Sequence, residues 1–171
     1  DEPFICFSQE LGNVLGNRAL SNQTSDWDIR YVIDNNVIES VSVEYRGGAV
    51  IFAGYVAFTN ITHNTIKETG YTGISLGWGW GSHVFGPQTF ARNNRIDGNR
   101  LLGVMSSMND GGCTYTLGPQ PNSFVTNNYC RADYAPVVGC FYHDNGSRYF
   151  TTTGNVCEDS PAPCVYLQGC C

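Results

Sequence analysis

The chain has 171 residues, of which 14% are charged, and a formal net charge of −6. Nucleic acids and anionic membrane surfaces both attract basic proteins, so this acidic composition predicts neither as a partner. The longest apolar run, residues 49–58, is about half the length of a membrane-spanning helix, so no membrane span is expected.

The chain divides into a segment without a pattern and a long repetitive segment. We interpret residues 1–27 as an N-terminal cap or docking segment. Residues 28–171 repeat one motif, in which an apolar residue and two further residues precede an Asn, and a second apolar residue follows two positions later. The motif's asparagines lie 28, 35, 29 and 27 residues apart, at Asn36, Asn64, Asn99, Asn128 and Asn155. So long a period is typical of solenoid proteins.

A second column of residues follows each of these asparagines at a variable distance. It consists of Ile51, Ile74, Cys113, Cys140 and Cys164. The two columns predict an all-β, right-handed parallel β-helix (a solenoid) of about five to six turns, with copies of each strand stacked about 4.8 Å apart. We expect the asparagines at a bend, in left-handed backbone conformation, with their amides hydrogen-bonded along the stack. The alternative is an antiparallel β-sandwich with coincidental spacing, although sandwiches place turns about every 8 to 12 residues.

Eight cysteines and three Asn-x-Ser/Thr sequons indicate an oxidising, extracellular compartment. The sequons predict a secreted glycoprotein modified at Asn22, Asn60 and Asn145. No Cys or His spacing matches a zinc site, so neither a metal nor a cofactor is predicted. Buried, unpaired thiols are the alternative for the cysteines.

The register of the predicted β-helix suggests a disulfide. Cys130 and Cys157 occupy the same inward position in neighbouring turns, and Cα atoms about 4.8 Å apart are within disulfide range. We therefore predict a Cys130–Cys157 bridge that stabilises the solenoid. Cys113, Cys140 and Cys164 share the other column, so two of these three could also pair.

Four segments resemble right-handed parallel β-helix proteins related to glycoside hydrolases, in the pectate-lyase-like superfamily. They are residues 47–55, 71–81, 109–120 and 142–148. The resemblance extends over residues 28–168 and implies carbohydrate as the ancestral substrate class. In the hydrolases, acidic residues of the Asp-Gly-Gly and His-Asp-x-Gly-Ser segments are catalytic candidates, which implies Asp110 and Asp144 here.

Glycoside hydrolysis needs two carboxyl groups about 5 to 10 Å apart. Asp110 lies three residues before Cys113 and Asp144 four residues after Cys140, a total offset of seven positions. Seven extended residues span up to about 23 Å, and bends at the corners shorten this by about half. This estimate does not favour an acid/base pair, and both residues also suit ordinary turns. His143 could serve as a base beside Asp144 or be a structural histidine.

A glycine-rich loop, residues 77–81, leaves two tryptophans with little local cover. Together with Tyr142, Trp78 and Trp80 are candidates for a platform on which sugar rings stack. The alternatives are packing against Tyr55 on the outside of the barrel and an interface with another protein.

Two hypotheses for function belong to different classes. A structural subunit would use the unpaired strand edges at its ends to stack head to tail with copies of itself, forming an extracellular fibre or surface coat. A carbohydrate-active, glycoside hydrolase-like enzyme would use Asp110 and Asp144 on a polysaccharide. A non-catalytic glycan-binding module is a third alternative. The sequence favours the structural subunit and leaves enzymatic activity uncertain.

Overall fold

The computed structural model of the protein describes residues 5–7, 28–78, 90–132 and 138–168. These residues form eighteen short strands and no helix, which confirms the predicted all-β fold. Accordingly, the described part of the chain has no helix that could cross a membrane.

Sixteen of the strands form three parallel sheets. Sheet 1 contains β1 (Ile5–Phe7), β5 (Ile51–Ala53), β9 (Ile74–Leu76), β12 (Thr114–Thr116), β15 (Phe141–His143) and β18 (Val165–Leu167). Sheet 2 contains β3 (Val32–Asp34), β7 (Asn60–Thr62), β10 (Arg95–Asp97), β13 (Pro119–Thr126) and β16 (Arg148–Thr153). Sheet 3 contains β4 (Val37–Glu39), β8 (Thr65–Lys67), β11 (Arg100–Leu102), β14 (Tyr129–Arg131) and β17 (Val156–Glu158). A small fourth sheet pairs β2 (Asp28–Ile29) with β6 (Val56–Ala57).

On every turn of the solenoid, the chain contributes strands to the three large sheets in the same order. A strand of sheet 2 leads through an Asn bend into sheet 3 and then into sheet 1, as in β7, β8 and β9. The described residues contain five such rungs, and their strands pair in parallel with their copies in the next rung. This is the predicted parallel β-helix with the predicted number of turns, whereas its right-handedness stays a prediction.

The predicted N-terminal cap contributes a strand to the solenoid. β1 pairs in parallel with β5 and so extends sheet 1 by one strand. The rest of residues 1–27 lies outside the described residues, so its role as a cap or docking segment stays a prediction.

The repeated asparagines form a hydrogen-bonded ladder at the bend between sheets 2 and 3. Each of the first four donates from Nδ2 to Oδ1 of the Asn one rung later, at 2.9–3.0 Å. The same Oδ1 atom also accepts the donor's backbone N–H. The predicted ladder is confirmed, but the predicted left-handed conformation is wrong by one position. It belongs to the residue before each ladder Asn, namely Asn35, His63, Gly98, Asn127 and Gly154. That residue makes the turn, which leaves the Asn amide aligned along the stack.

Inward-facing columns fill the interior of the solenoid. The column of sheet 2 is Ile33, Ile61, Ile96, Val125 and Thr152. The column of sheet 3 is Ile38, Ile66, Leu101, Cys130 and Cys157, as predicted. The column predicted for sheet 1 is wrong by one position, because Ile51 and Ile74 pair with Thr114, Phe141 and Val165. The cysteines come one residue earlier, at the corner, where the bend allows Cys113 and Thr114 both to be fully buried.

The predicted Cys130–Cys157 disulfide is wrong, although the register that suggested it is right. The two residues are partners in neighbouring rungs, but the disulfides join Cys113 to Cys130 and Cys157 to Cys164. Stacked side chains on parallel strands point the same way, whereas a disulfide needs Cβ atoms that converge, as they do across the narrow interior. Among the described residues, Cys140 is a buried free thiol.

We expect Asn99→Ala to lower the free energy of unfolding by about 3 kcal/mol or more, since several buried partners lose their hydrogen bonds. These partners are the backbone N–H of Asn64, the carbonyl of Ile61 and the amide of Asn128. Asn36→Ala, at the exposed end of the ladder, is the control and should cost less than about 1 kcal/mol. Urea unfolding measures both, and equal losses would contradict the interpretation of the ladder.

Replacing both Cys113 and Cys130 by alanine should lower the free energy of unfolding by about 3 kcal/mol. The bond joins residues 17 apart, and both side chains are fully buried. The control is the double alanine variant of Cys157 and Cys164, which are 7 residues apart at a more exposed place. It should cost about 2 kcal/mol or less. Chemical denaturation measures the free energy of unfolding of both double variants. A larger decrease in the control would show that the Cys113–Cys130 bond is not the more stabilising disulfide.

Candidate active site on the outer face of sheet 1

The outer face of sheet 1 carries a column of mainly aromatic side chains. The strand register stacks Phe52, Ser75, Tyr115, Tyr142 and Tyr166. Their neighbours within each strand point into the core, so these side chains point outward. Tyr142 meets Tyr115 and Tyr166 edge to face, with ring centroids 5.1 and 5.4 Å apart. Tyr115 and Tyr142 are each only 3% exposed, because the rings cover one another.

Asp144 directly follows β15 and is 4% exposed. Its Oδ2 atom accepts a hydrogen bond from the Tyr115 hydroxyl. Its backbone N–H donates to the carbonyl of Thr116 at 3.1 Å, and its carbonyl accepts the N–H of Ser147 at 2.9 Å. Gly146 supplies the positive φ, 73°, that this turn requires. The turn therefore holds the carboxyl group against the tyrosine column.

Asp110 reaches the same column from the exposed bend before β12. Its backbone is left-handed, with a φ of 60°, and its carbonyl accepts a hydrogen bond from the Tyr71 hydroxyl at 2.9 Å. The Tyr142 hydroxyl donates to Asp110 Oδ1 at 3.4 Å. The bend thus turns this side chain towards the outer face of sheet 1.

The structure brings the two predicted carboxyl groups together. The Tyr142 hydroxyl contacts Asp110, and Asp144 is near enough to raise the pKa of the same hydroxyl. Both carboxyl groups therefore lie beside one tyrosine hydroxyl, and glycoside hydrolases place their two carboxyl groups about 5 to 10 Å apart. The larger separation estimated from the sequence stays a prediction. It counted residues along extended strands, whereas the bend at Asp110 turns the side chain back towards the column.

The two carboxylates affect the pKa values of two nearby tyrosines. Burial, together with repulsion from Asp144 and Asp110, raises the pKa of Tyr142 far above its usual range. Burial also raises the pKa of Tyr71, and the same two carboxylates add to the effect. Both hydroxyls therefore keep their protons and remain hydrogen-bond donors. The described residues include no group of three His, Cys, Asp or Glu side chains that could hold a metal ion.

His143 points away from this site, into the solenoid. Its Nδ1 atom contacts Thr116 Oγ1 at 2.7 Å, and its Nε2 atom contacts Thr152 Oγ1 at 2.8 Å. Burial lowers the pKa of His143 to about 4. A neutral imidazole inside the core cannot exchange protons with a substrate on the outer face, which favours the structural interpretation over the catalytic one.

Of the two candidate tryptophans, the structure describes Trp78 and not Trp80. Trp78 packs edge to face against Phe52, with 5.6 Å between ring centroids. Phe52 and Tyr142 are three rungs apart in the column, which is about 14 Å. Trp78 therefore lies on the same face as the carboxyl groups, at some distance along it.

The predicted glycosylation sites have different positions. Asn60 is exposed on β7, and Asn145 is partly buried in the turn directly after Asp144. Asn22 lies outside the described residues. Glycosylation of all three stays a prediction.

Tyr71 and Tyr115 are functional candidates that the sequence motifs do not indicate. A signal for Tyr115 was present, since Tyr115, Tyr142 and Tyr166 each follow a column cysteine by two residues. Equal spacing from the same column indicates one stack. Tyr71 had no such signal, because it acts on Asp110 from a neighbouring bend.

One solved structure, named "Glycoside hydrolase", is similar to this chain. The match has 34% sequence identity and a TM-score of 0.68, and it covers 84% of this chain and 25% of that one. The chain thus spans a quarter of the length of that protein. No protein-family model and no curated protein matches the chain. The similarity supports the relation to glycoside hydrolases that the sequence indicated, and it does not address the pectate-lyase-like superfamily.

The buried His143 predicts a loss of stability in acid. In the unfolded chain a histidine takes up a proton below about pH 6.5, whereas in the folded protein its pKa is about 4. This contribution to stability is therefore complete above about pH 6.5, and up to about 3 kcal/mol of it is lost as the pH falls to 4. Urea unfolding between pH 7 and 4 measures the loss. His143→Gln should weaken the pH dependence of the free energy of unfolding, whereas the control His63→Gln, at the surface, should retain most of it.

Proposed function

We propose that this protein is a carbohydrate-active domain that hydrolyses glycosidic bonds with Asp110 and Asp144. The main support is that both carboxyl groups lie beside the Tyr142 hydroxyl, since Asp110 contacts it and both carboxyl groups raise its pKa. In such a pair one carboxyl group can protonate the leaving oxygen while the other attacks the anomeric carbon or activates a water molecule. Similarity to a protein named as a glycoside hydrolase supports the same reaction class.

The outer column of sheet 1 suits an extended substrate. Its outward side chains repeat about every 4.8 Å across the strands, with rings at Tyr142 and Tyr115 and, beyond Ser75, again at Phe52. The Tyr142 ring is covered by its neighbours, so we assign it a polar contact through its hydroxyl. Trp78 is partly exposed and is the better candidate for stacking on a sugar ring.

We expect Asp110→Asn and Asp144→Asn each to lower the rate of glycoside hydrolysis at least about 100-fold, because each removes a group that transfers a proton or bonds to the substrate. The assay measures new reducing ends from a panel of plant and algal polysaccharides. Asp34→Asn is the matched control, since Asp34 lies on sheet 2 with Thr62 and His63 as partners. Hydrolysis that survives in both site variants would contradict the proposal.

The same assay separates the other hypotheses. A glycan-binding module would bind a polysaccharide of the panel without producing reducing ends. The structural subunit that stacks head to tail stays a prediction, and electron microscopy of unreduced protein would show its filaments. We also propose that the protein is secreted, because its disulfides fit an oxidising compartment.

A further inference from the structure

We propose that Tyr45 forms a binding subsite for a neutral sugar ring, on the border of sheet 1 that also carries Asp110. The inference rests on the proposed function, because the sugar belongs to the polysaccharide that Asp110 and Asp144 would cleave. It adds a place on the protein that holds the substrate away from the bond that is broken.

Tyr45 is highly exposed for a large apolar side chain. It lies between β4 and β5 in residues 42–48, which we call the Tyr45 loop, and at 82% it is the most exposed large apolar side chain among the described residues. Val43 and Met108 are also exposed. The Tyr45 loop approaches Met108, since a Cβ atom placed on Gly47 would lie 4.0 Å from Met108 Cε. Single exposed apolar side chains are ordinary, whereas neighbouring ones mark binding sites.

The Tyr45 loop is held in place by hydrogen bonds and by packing. The Ser42 hydroxyl donates to the carbonyl of Gly48 at 2.8 Å, and the N–H of Gly48 donates to the carbonyl of Tyr45 at 3.2 Å. The carbonyl oxygens of Ser42 and Arg46 lie so close to Gly70 that a Cβ atom there would be 3.0 Å from each. A tyrosine on such a loop loses little conformational entropy when a ligand covers its ring.

The Tyr45 loop is joined to the segment that ends in Asp110. Arg46 Nη1 donates to Ser107 Oγ at 2.6 Å, across the shorter bend between β8 and β9. Ser107 precedes Asp110 by three residues, which span at most about 10 Å. The shorter bend carries Tyr71, whose hydroxyl donates to the carbonyl of Asp110. Three successive bends therefore form one continuous border of sheet 1.

The opposite border of sheet 1 carries the other candidate residues. Tyr45 and Asp110 precede the strands β5 and β12, whereas Trp78 and Asp144 follow the strands β9 and β15. Strands of a parallel sheet run in one direction, so residues that precede them lie along one border and residues that follow them lie along the other. A sugar chain that runs along the solenoid axis over sheet 1 would pass between Tyr45 and Trp78. It would pass between Asp110 and Asp144 further along.

The groups on the Tyr45 loop suit a neutral sugar. A tyrosine ring can stack on the C–H face of a pyranose and remove apolar area from water. The Arg46 guanidinium has five N–H donors, and Ser107 accepts from one of them, so this exposed side chain can also donate to sugar hydroxyl groups. Glu44 offsets the charge of Arg46 within the loop, which favours a neutral sugar over an anionic one.

The test is affinity electrophoresis in native gels, each containing one soluble polysaccharide. Xyloglucan, galactomannan and laminarin are the neutral probes, and polygalacturonate and carrageenan are the anionic ones. We expect at least one neutral probe to retard the protein. Tyr45→Ala should raise the Kd for that probe at least about 10-fold, because the stacking surface is lost.

Two variants serve as controls. Tyr45→Phe keeps the ring, so its Kd should stay within about 2-fold of that of the wild type. Tyr149→Ala removes another exposed tyrosine, on β16 in sheet 2, and should leave the Kd unchanged.

Either of two results would overturn the proposal. One is that no neutral probe retards the wild type, and the other is an unchanged Kd in Tyr45→Ala that unfolds at the wild-type temperature. NMR of wild-type protein labelled in its tyrosine rings gives a reading that needs no folded alanine variant. The bound neutral probe should shift the Tyr45 signals, and unshifted signals at saturation would also overturn the proposal.

Binding and hydrolysis are measured separately, so the two proposals can fail separately. Binding that depends on Tyr45 without new reducing ends would count against the proposed function alone. In an active protein, Tyr45→Ala should raise KM about 10-fold and change kcat less than about 2-fold, because a ring away from the reacting atoms binds ground state and transition state alike. Hydrolysis with an unchanged KM in Tyr45→Ala would count against the subsite alone.

Discussion

The stacking of strands in register, about 4.8 Å apart, is the constraint on which the rest of the molecule depends. The asparagine ladder enforces it, because each amide joins two rungs and a shift of one residue would break several buried hydrogen bonds together. The loops between strands are free of this constraint. Ladder asparagines are 27 to 35 residues apart, yet the strands that follow them remain aligned. Variation in the chain is thereby confined to the loops, which can carry function.

The same stacking builds the candidate site. One outward position per strand of sheet 1 becomes a continuous column, so three tyrosines separated by 27 and 24 residues meet edge to face. The carboxyl groups are added by the bends before β12 and after β15, which lie in neighbouring rungs. Neither aspartate is within a strand. The regular part of the fold thus supplies aromatic and hydroxyl groups, and the irregular part supplies charge.

The sequence predicts the regular part well and the irregular part poorly. Ile66 pairs with Leu101, and Leu101 with Cys130, as the repeat indicates, because strands repeat a local pattern. The predicted cysteine column is wrong by one position at the corner, because side chains do not alternate between the two faces where the chain bends. The predicted disulfide pairing is wrong because pairing depends on the direction of the Cβ atoms, and strand register does not determine that direction. The approach of Asp110 to the tyrosine column depends on a left-handed bend and a contact with Tyr142, and residue spacing in the sequence indicates neither.

The two carboxyl groups are supported in different ways, which bears on their roles. The turn after Asp144 is bound to the core, because the Ser147 hydroxyl donates to the Thr116 carbonyl at 2.8 Å and Thr116 contacts His143. Replacing His143 or Ser147 would therefore disturb the position of Asp144 from the core side of the turn. Among the described residues, Asp110 has the Tyr71 contact to its backbone carbonyl and the long Tyr142 contact to its side chain. A group that must meet one atom in one direction needs a rigid setting such as that of Asp144, whereas Asp110 has room to adapt to its partner.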